Sequence, residues 1–158
     1  MATYEPFPFP LTLEIIVLPV ADPDRSKAFY SQLGWRLDAD FANDKGFRVI
    51  QFTPPQSGCS IHFGDKMTAA KPGSVRGLHL VAHDVVAVRD ELRRRGIETS
   101  EVFHDADGLF HHGGNNNRVD GPNPERKSYA SFVSFNDPDG NEWVVQEITG
   151  RLSGRLWE

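Results

Sequence analysis

The first part of the chain alternates between strand-like and helix-like patterns of apolar residues. Residues 11–20 form an apolar run rich in β-branched side chains, which predicts a strand. Asp22 followed by Pro23 predicts a helix start, because the carboxylate can accept bonds from the first backbone N–H groups and proline needs no partner there. An apolar stripe at helical spacing follows, and Gly34 predicts its end. Turn residues then separate three further predicted strands, at 35–41, 47–53 and 59–63.

The same order of elements recurs in the second part of the chain. When residues 15–41 are shifted forward by 62 positions onto 77–103, apolar positions, aspartates and glycines coincide. Asp84 then takes the place of the first helix cap, and Gly96 that of the first helix end. The predicted strands of this second unit lie at 78–82, 97–103, 129–135 and 142–148. The sequence therefore predicts an α+β fold of two tandem βαβββ modules.

One long polar segment interrupts the second unit. Residues 104–128 are rich in Gly, Asn and charged side chains and have no counterpart in the first unit. A segment of this length without predicted secondary structure is typical of a lid or a binding loop. We therefore predict that 104–128 form a mobile flap over a cavity.

Length and composition limit the class of protein. The 158 residues, 39% hydrophobic and 25% charged, suit one compact domain. The net charge of −5 argues against nucleic acid binding, which needs clustered Lys and Arg. No apolar run reaches the roughly 18 residues of a membrane span, and the N-terminus lacks the pattern of a secretory signal. With a lone cysteine, Cys59, these features favour a cytoplasmic protein that binds neither nucleic acid nor membranes.

Three stretches of the chain are similar to one known family. They are LPVADPDRSKAFYSQLGW (18–35), LVAHDVVAVRDELRRRGI (80–97) and FNDPDGNEWVVQE (135–147). With the tandem units, they resemble the vicinal oxygen chelate superfamily, which holds glyoxalase I, the bleomycin-resistance proteins and the extradiol dioxygenases. The resemblance implies a single domain over 11–149, with modules at 11–66 and 75–149. It also implies a U-shaped, partly closed mixed sheet around a central ligand cavity.

Two terminal arms, 1–10 and 150–158, lie outside the repeat. Each carries apolar side chains that have no place in the modules: Phe7, Phe9, Leu156 and Trp157. Members of the resembled family of this size usually pair, and an exposed apolar cluster usually marks a contact. We therefore predict a homodimer with these residues near its interface.

The resemblance also implies where a metal ion would bind. In the family's metal enzymes, His, Glu or Gln side chains on the first and last strands of each module hold a divalent ion. The matching positions here are Ile15, His62, Gly77 and Val144. Three of them cannot donate to a metal, because Ile15 and Val144 have hydrocarbon side chains and Gly77 has none. We predict no metal at this site and no other cofactor.

Strand alternation predicts which further side chains line the cavity. Residues two apart on a strand share a face, so the neighbours of those four positions also face the ligand. The predicted ligand-binding residues are Ile15, Val17, Ser60, His62, Gly77, His79, Val144 and Gln146. Apolar walls with a few polar groups are typical of a small-molecule site, so we predict a small, partly apolar ligand.

Two histidines of this set, His62 and His79, are the candidate catalytic residues and leave several functions open. They can orient a ligand by hydrogen bonds, act as an acid–base pair, or be satisfied core residues. They can also form a displaced metal site with a histidine of the flap, such as His104, His111 or His112. The first interpretation gives a metal-free binding protein, and the acid–base and metal interpretations give a lyase, isomerase or dioxygenase-type enzyme. We favour the binding protein, because the three lost ligands remove the electrophile of the family's chemistry.

Overall fold

The computed structural model describes residues 3–108, 110 and 116–153. Its first unit has the predicted order of elements: β1 (Ile15–Val17), α1 (Pro23–Gln32), β2 (Arg36–Ala42), β3 (Arg48–Thr53) and β4 (Ser60–Asp65). β1 is much shorter than the predicted strand over 11–20. Its pairing with β4 ends at two backbone bonds, from Ser60 N–H to Glu14 O and from Leu18 N–H to His62 O, both 2.8 Å.

Within the described residues, the second unit has one strand more than the first. Its elements are β5 (Leu78–Ala82), α2 (Val85–Arg94), β6 (Phe103–Asp105), β7 (Arg118–Asp120), β8 (Phe132–Asn136) and β9 (Glu142–Glu147). The predicted strand over 97–103 was wrong except at Phe103. Ser100 N–H donates to Ser134 O at 2.9 Å, but Ser134 N–H donates to the Ser100 hydroxyl at 2.9 Å instead of to a carbonyl. A side chain thus replaces the backbone acceptor, and no ladder forms there.

Both helices begin and end where their cap residues predict. Asp22 Oδ1 accepts hydrogen bonds from two N–H groups of the first turn of α1, at 3.1 and 3.2 Å. Asp84 Oδ1 does the same for α2, at 3.0 Å in each case. Gly34 and Gly96 follow the helices with φ of 76° and 80°, a left-handed conformation that ends a helix at little cost for glycine.

The strands form two sheets with related topology. The N-terminal sheet has the order β1-β4-β3-β2, and the C-terminal sheet has the order β5-β9-β8-β6-β7. The first strand of each module pairs in parallel with the last, so Ile15 lies opposite Ser60 and His79 opposite Val144. Neither sheet closes into a barrel, and the predicted α+β class of tandem βαβββ modules is confirmed.

The core lies between the two sheets. The buried Tyr30 ring of α1 lies 6.0 and 5.5 Å from the rings of Phe52 and Phe63 in the N-terminal sheet, and 6.4 Å from Trp143 in the C-terminal sheet. The inner faces of the sheets therefore face each other, and apolar side chains fill the space between them. The outer faces, which we call the open faces, point away from each other. The predicted central cavity consequently does not lie between the two sheets of one chain.

The insertion at 104–128 contributes a strand and an anchor. β7 pairs antiparallel with β6 at the edge of the C-terminal sheet. Farther along, the Arg126 guanidinium donates to both carboxylate oxygens of Glu147, at 2.9 and 2.5 Å. Glu147 is 1% exposed and also accepts a 2.9 Å hydrogen bond from Val85 N–H at the start of α2. The described parts of the segment are held to the sheet at these points, and its mobility stays a prediction.

Among the described residues, no helix is long and apolar enough to cross a membrane.

Candidate ligand-binding faces

The predicted ligand-binding residues divide between the two open faces. Four of them share the open face of the N-terminal sheet: Ile15, Val17, Ser60 and His62. The other four lie on or beside the open face of the C-terminal sheet: Gly77, His79, Val144 and Gln146. Their neighbours along the strands, such as Ile61 and Trp143, belong to the core. Because the open faces point in opposite directions, the structure does not bring His62 and His79 together within one chain.

On the N-terminal open face, a hydrogen-bond chain fixes the orientation of His62. His62 Nε2 lies 2.8 Å from Gln51 Oε1, and Gln51 Nε2 donates to Asp38 Oδ2 at 3.2 Å. Because the amide nitrogen of Gln51 is used by Asp38, its oxygen accepts, and His62 Nε2 carries the hydrogen. A neutral His62 ring therefore offers Nδ1 as its acceptor.

Asp38 also joins the two hydroxyl groups of this face. Thr53 Oγ1 donates to Asp38, and it lies 2.6 Å from Ser60 Oγ. A hydrogen bond from Arg36 at 2.5 Å, with the one from Thr53, lowers the pKa of the Asp38 carboxyl from its ordinary value. Asp38 therefore stays ionised at neutral pH, and Ser60 is held by protein groups and is 7% exposed.

The C-terminal open face has an apolar layer beneath its polar groups. Phe103 and Phe132 stack with centroids 5.5 Å apart and pack with Val144, and each of the three is at most 2% exposed. Gln146 Nε2 donates to Tyr129 O at 2.9 Å, so this side chain holds the segment before β8. Val144 and Gln146 are thus buried in the single chain.

His79 and Gly77 lie at the surface of this face. His79 Nδ1 is 2.7 Å from Gly77 O, which can only accept, so Nδ1 carries the hydrogen and Nε2 of the neutral ring is the acceptor. Gly77 has φ 73°, and a Cβ built there would meet no atom within 4 Å. The backbone conformation, and not lack of space, therefore favours glycine at the position of a family metal ligand.

Glu142 and Arg118 are two of the charged residues on this face that the sequence analysis missed. Glu142 has the same alternation as Val144, and its Oε1 accepts a 3.1 Å hydrogen bond from Gly77 N–H. The same alternation that placed Val144 on this face could therefore have predicted Glu142 there. Arg118 lies on β7, with its guanidinium carbon 3.9 Å from the Phe103 ring centroid. β7 has no alternation of apolar residues that would predict a strand, so the position of Arg118 on this face could not be predicted from the sequence.

The residues present do not fit the family's metal site. Ile15, Gly77 and Val144 supply no donor atom, and no group of three or more His, Cys, Asp or Glu in the described ranges could hold a metal ion. His104 alternates with Phe103 on β6, so it points away from the open face, and its Nδ1 lies 2.8 Å from Gly121 O. His111 and His112, the other two proposed ligands from the flap, lie outside the described residues.

A surface groove elsewhere contains none of the predicted residues. It has a volume of about 490 Å³ and is lined by residues near the end of α1, by 96–100 and by 134–138. Its buried carboxylate, Asp137, is occupied by hydrogen bonds from Tyr30 and Asn141. We therefore look for the candidate site on the open faces, which carry the predicted residues and the exposed Val17 and Val81.

Sequence comparison places this fold in a family. The profile of the Glyoxalase/Bleomycin resistance protein/Dioxygenase superfamily matches residues 12–145. The chain belongs to this superfamily. A comparison with curated protein sequences found no match to this chain.

Solved structures agree with that assignment. TnmS3, an antibiotic binding protein from Streptomyces sp. CB03234, is 26% identical with a TM-score of 0.62, and the match covers 88% of this chain and 97% of that one. A glyoxalase/bleomycin resistance protein from the same organism is also 26% identical, with a TM-score of 0.59 and coverage of 85% and 99%. A superfamily member from Sphaerobacter thermophilus DSM 20745 is 20% identical, with a TM-score of 0.62 and coverage of 86% and 96%, and shows the fold alone.

Proposed function

We propose that this chain binds a small, partly apolar molecule without a metal ion, in a cavity formed between two copies. The observation that carries the proposal is the make-up of the two open faces. Each combines an exposed valine, Val17 at 38% or Val81 at 49%, with a histidine, His62 or His79, that hydrogen bonds hold in a defined tautomer. Such mixed linings are typical of small-molecule sites. The similarity to a solved antibiotic binding protein supports the same class of ligand.

A second copy is part of the proposal because one chain supplies only separate halves. The open faces of the two sheets point away from each other, so the eight predicted residues cannot surround one ligand in a single chain. If the N-terminal open face of one copy packs opposite the C-terminal open face of another, His62 and His79 meet across one cavity. The two valines are then covered, which removes apolar surface from water.

The N-terminal arm supports pairing with another copy. Alternate side chains of the arm and of the residues that follow it are apolar and 65–79% exposed: Phe7, Phe9, Leu11 and Leu13. In an extended chain these four share a face with Ile15 and Val17. A row of exposed apolar side chains on one face is an interaction surface.

The backbone N–H donors of the arm are also unequally distributed between its two edges. In β1 the even-numbered residues face β4, as the bonds of Glu14 O and Leu18 N–H show, so odd-numbered N–H groups point to the free edge. Pro6, Pro8 and Pro10 are all even-numbered and lack an N–H. If residues 6–10 become extended, they can therefore donate only from their free edge, which suits pairing along the edge of another chain's sheet.

The test is a melting-temperature screen with a panel of aromatic antibiotics, followed by two matched variants. We expect at least one compound to stabilise the wild type, by about 2.7 kcal/mol at 100 times its Kd. Val81→Arg should abolish that stabilisation, because it places a charge on the C-terminal open face. Val119→Arg is the control, because Val119 is similarly exposed at 42% but pairs with His104 on the opposite face. Equal effects of the two variants, or no stabilising compound, would count against the proposal.

A further inference from the structure

Arg118 lies on the C-terminal open face, where no other described residue forms a hydrogen bond or ion pair with its side chain. Its guanidinium lies over the Phe103 ring, with the carbon 3.9 Å from the centroid, in the geometry of a cation–π contact. Its Nε is buried and has no hydrogen-bond partner, and no described residue accepts a hydrogen bond from this side chain. The side chain as a whole is half-buried, but the Nε–H donor has lost its water, and a buried N–H donor is normally paired. The lack of an acceptor for it among the described residues therefore points to a group that a ligand can supply.

The position of Arg118 follows from its strand. β7 pairs with β6 so that Arg118 lies opposite Asp105, on the face that holds Phe103. Asp105 Oδ1 accepts a 2.8 Å hydrogen bond from Asp107 N–H and forms no ion pair with Arg118. The Phe103 ring covers one side of the guanidinium and supplies no acceptor, which leaves the N–H groups of Arg118 for a ligand.

The charges around Arg118 limit what it can bind. Burial lowers the pKa of its guanidinium, whereas the charge of Glu142 raises it, and an arginine stays protonated at neutral pH. Glu142 itself accepts a hydrogen bond from Gly77 N–H at 3.1 Å. Asp105 and Asp120 also lie on this face of β6 and β7, where Arg118 is the one Lys or Arg, so a ligand group with no more than one negative charge is favoured. A doubly charged phosphate would meet Glu142 without a second cation to balance it.

We propose that Arg118 recognises a carboxylate on the ligand, so that the preferred ligands are apolar aromatic acids. A carboxylate matches the planar guanidinium through two parallel N–H···O bonds. The inference rests on the proposed function, since it concerns the ligand of the same cavity. His79 and Val81 lie on the same face and face the apolar part of such a ligand.

Three probes of one shape test this proposal: 1-naphthoate, 1-naphthamide and 1-naphthyl phosphate. Calorimetric titration of the wild-type protein should show 1-naphthoate as the tightest of the three, by about tenfold over the amide, as expected for a charge-assisted pair. Arg118→Met should weaken 1-naphthoate by about tenfold or more and change the amide by less than about threefold. Arg118→Lys should give an intermediate loss, because lysine keeps the charge but not the planar fork.

Arg94→Met is the matched control, since Arg94 is an exposed arginine of α2 that pairs with Glu91, and its loss changes the net charge equally. It should leave all three affinities unchanged. The melting temperature of Arg118→Met should stay close to that of the wild type, because no hydrogen bond is lost and a methionine can replace the cation–π contact by packing on the Phe103 ring.

Each contrary outcome identifies what has failed. Tighter binding of the phosphate, equal binding of acid and amide, or an equal loss for all probes in Arg118→Met overturns the role of Arg118. In those cases, binding of the amide leaves the proposed function intact. If no probe binds the wild type, this inference and its aromatic ligand class are contradicted. If, in addition, no compound of the antibiotic screen stabilises the protein, the proposed function is contradicted as well.

Discussion

At the residue scale, the Tyr30 hydroxyl links the two modules. It donates to Asp137 Oδ2 and accepts from Trp143 Nε1, each at 3.0 Å. Burial, reinforced by the charge of Asp137, raises the pKa of the Tyr30 phenol. The hydroxyl therefore remains a neutral donor at neutral pH. Asp137 Oδ2 also accepts a hydrogen bond from Asn141 Nδ2 at 2.8 Å, so this buried carboxylate has two side-chain donors.

Tyr30→Phe should lower the free energy of unfolding by about 1–3 kcal/mol, because it leaves a buried carboxylate and an indole N–H short of a partner. Urea unfolding of wild type and variant measures this difference. Tyr4→Phe is the control, because Tyr4 is 89% exposed and its hydroxyl lies in solvent. A change no larger than that of the control would show that the hydroxyl does not join the modules.

Individual site residues could be predicted only where a local rule applied. Strand alternation correctly separated Ser60 and His62 from the core residues Ile61 and Phe63. It did not reveal that Gln51 orients His62, because that pairing depends on the register between β3 and β4. The roles of the predicted residues in binding stay predictions.

At the element scale, the pair of Arg126 and Glu147 attaches the insertion to the C-terminal sheet. Burial raises the pKa of Glu147, but the hydrogen bonds from Arg126 and Val85 N–H outweigh it, so the pKa lies below its ordinary value. A carboxylate with a depressed folded pKa contributes stability above its unfolded pKa, about 4.3 for glutamate. That contribution is lost as the pH falls from there through the folded value.

Arg126→Met should therefore reduce stability at pH 7 by about 1–3 kcal/mol, a value below that of a fully buried pair because Arg126 is half exposed to screening solvent. The reduction should shrink as the pH falls below the ordinary pKa of glutamate toward the lowered pKa of Glu147, because a protonated Glu147 no longer needs its partner. Urea unfolding at pH 7, 5 and 3.5 measures the trend. Arg94→Met, which breaks an exposed pair, should show little effect at any pH. A penalty for Arg126→Met that is independent of pH would contradict the assignment.

Most elements could be predicted from the chain because their signals are local. Caps and glycines define both helices, and the Asp137–Gly140 turn separates β8 from β9. The insertion is the exception. β6 and β7 pair with each other at the sheet edge, and Ser100 bonds to β8 through its hydroxyl as well as its N–H, so neither arrangement follows from apolar alternation.

At the scale of the whole molecule, the relation between the two sheets could not be predicted. The repeat predicts two similar modules, but contacts distant in sequence, such as Trp35 with Trp143 at 5.1 Å, decide which faces meet. The homodimer, the cytoplasmic location and the identity of the ligand stay predictions. The arm residues Leu156 and Trp157, predicted near the interface, lie outside the described residues.

The dimer is tested by the N-terminal arm, because its two phenylalanines are exposed at 65% and 70% in the single chain. The double variant Phe7→Ser/Phe9→Ser should raise the dimer dissociation constant at least about 100-fold, since burying each ring contributes about 1.5–3 kcal/mol. Sedimentation velocity over a range of concentrations measures this shift. Tyr4→Ser is the matched control: Tyr4 is an aromatic residue of the same arm, but its even position places it on the opposite face of an extended strand. A wild-type protein that remains monomeric at high micromolar concentration would refute the dimer. Equal weakening by the control would show instead that arm alternation does not determine the contact.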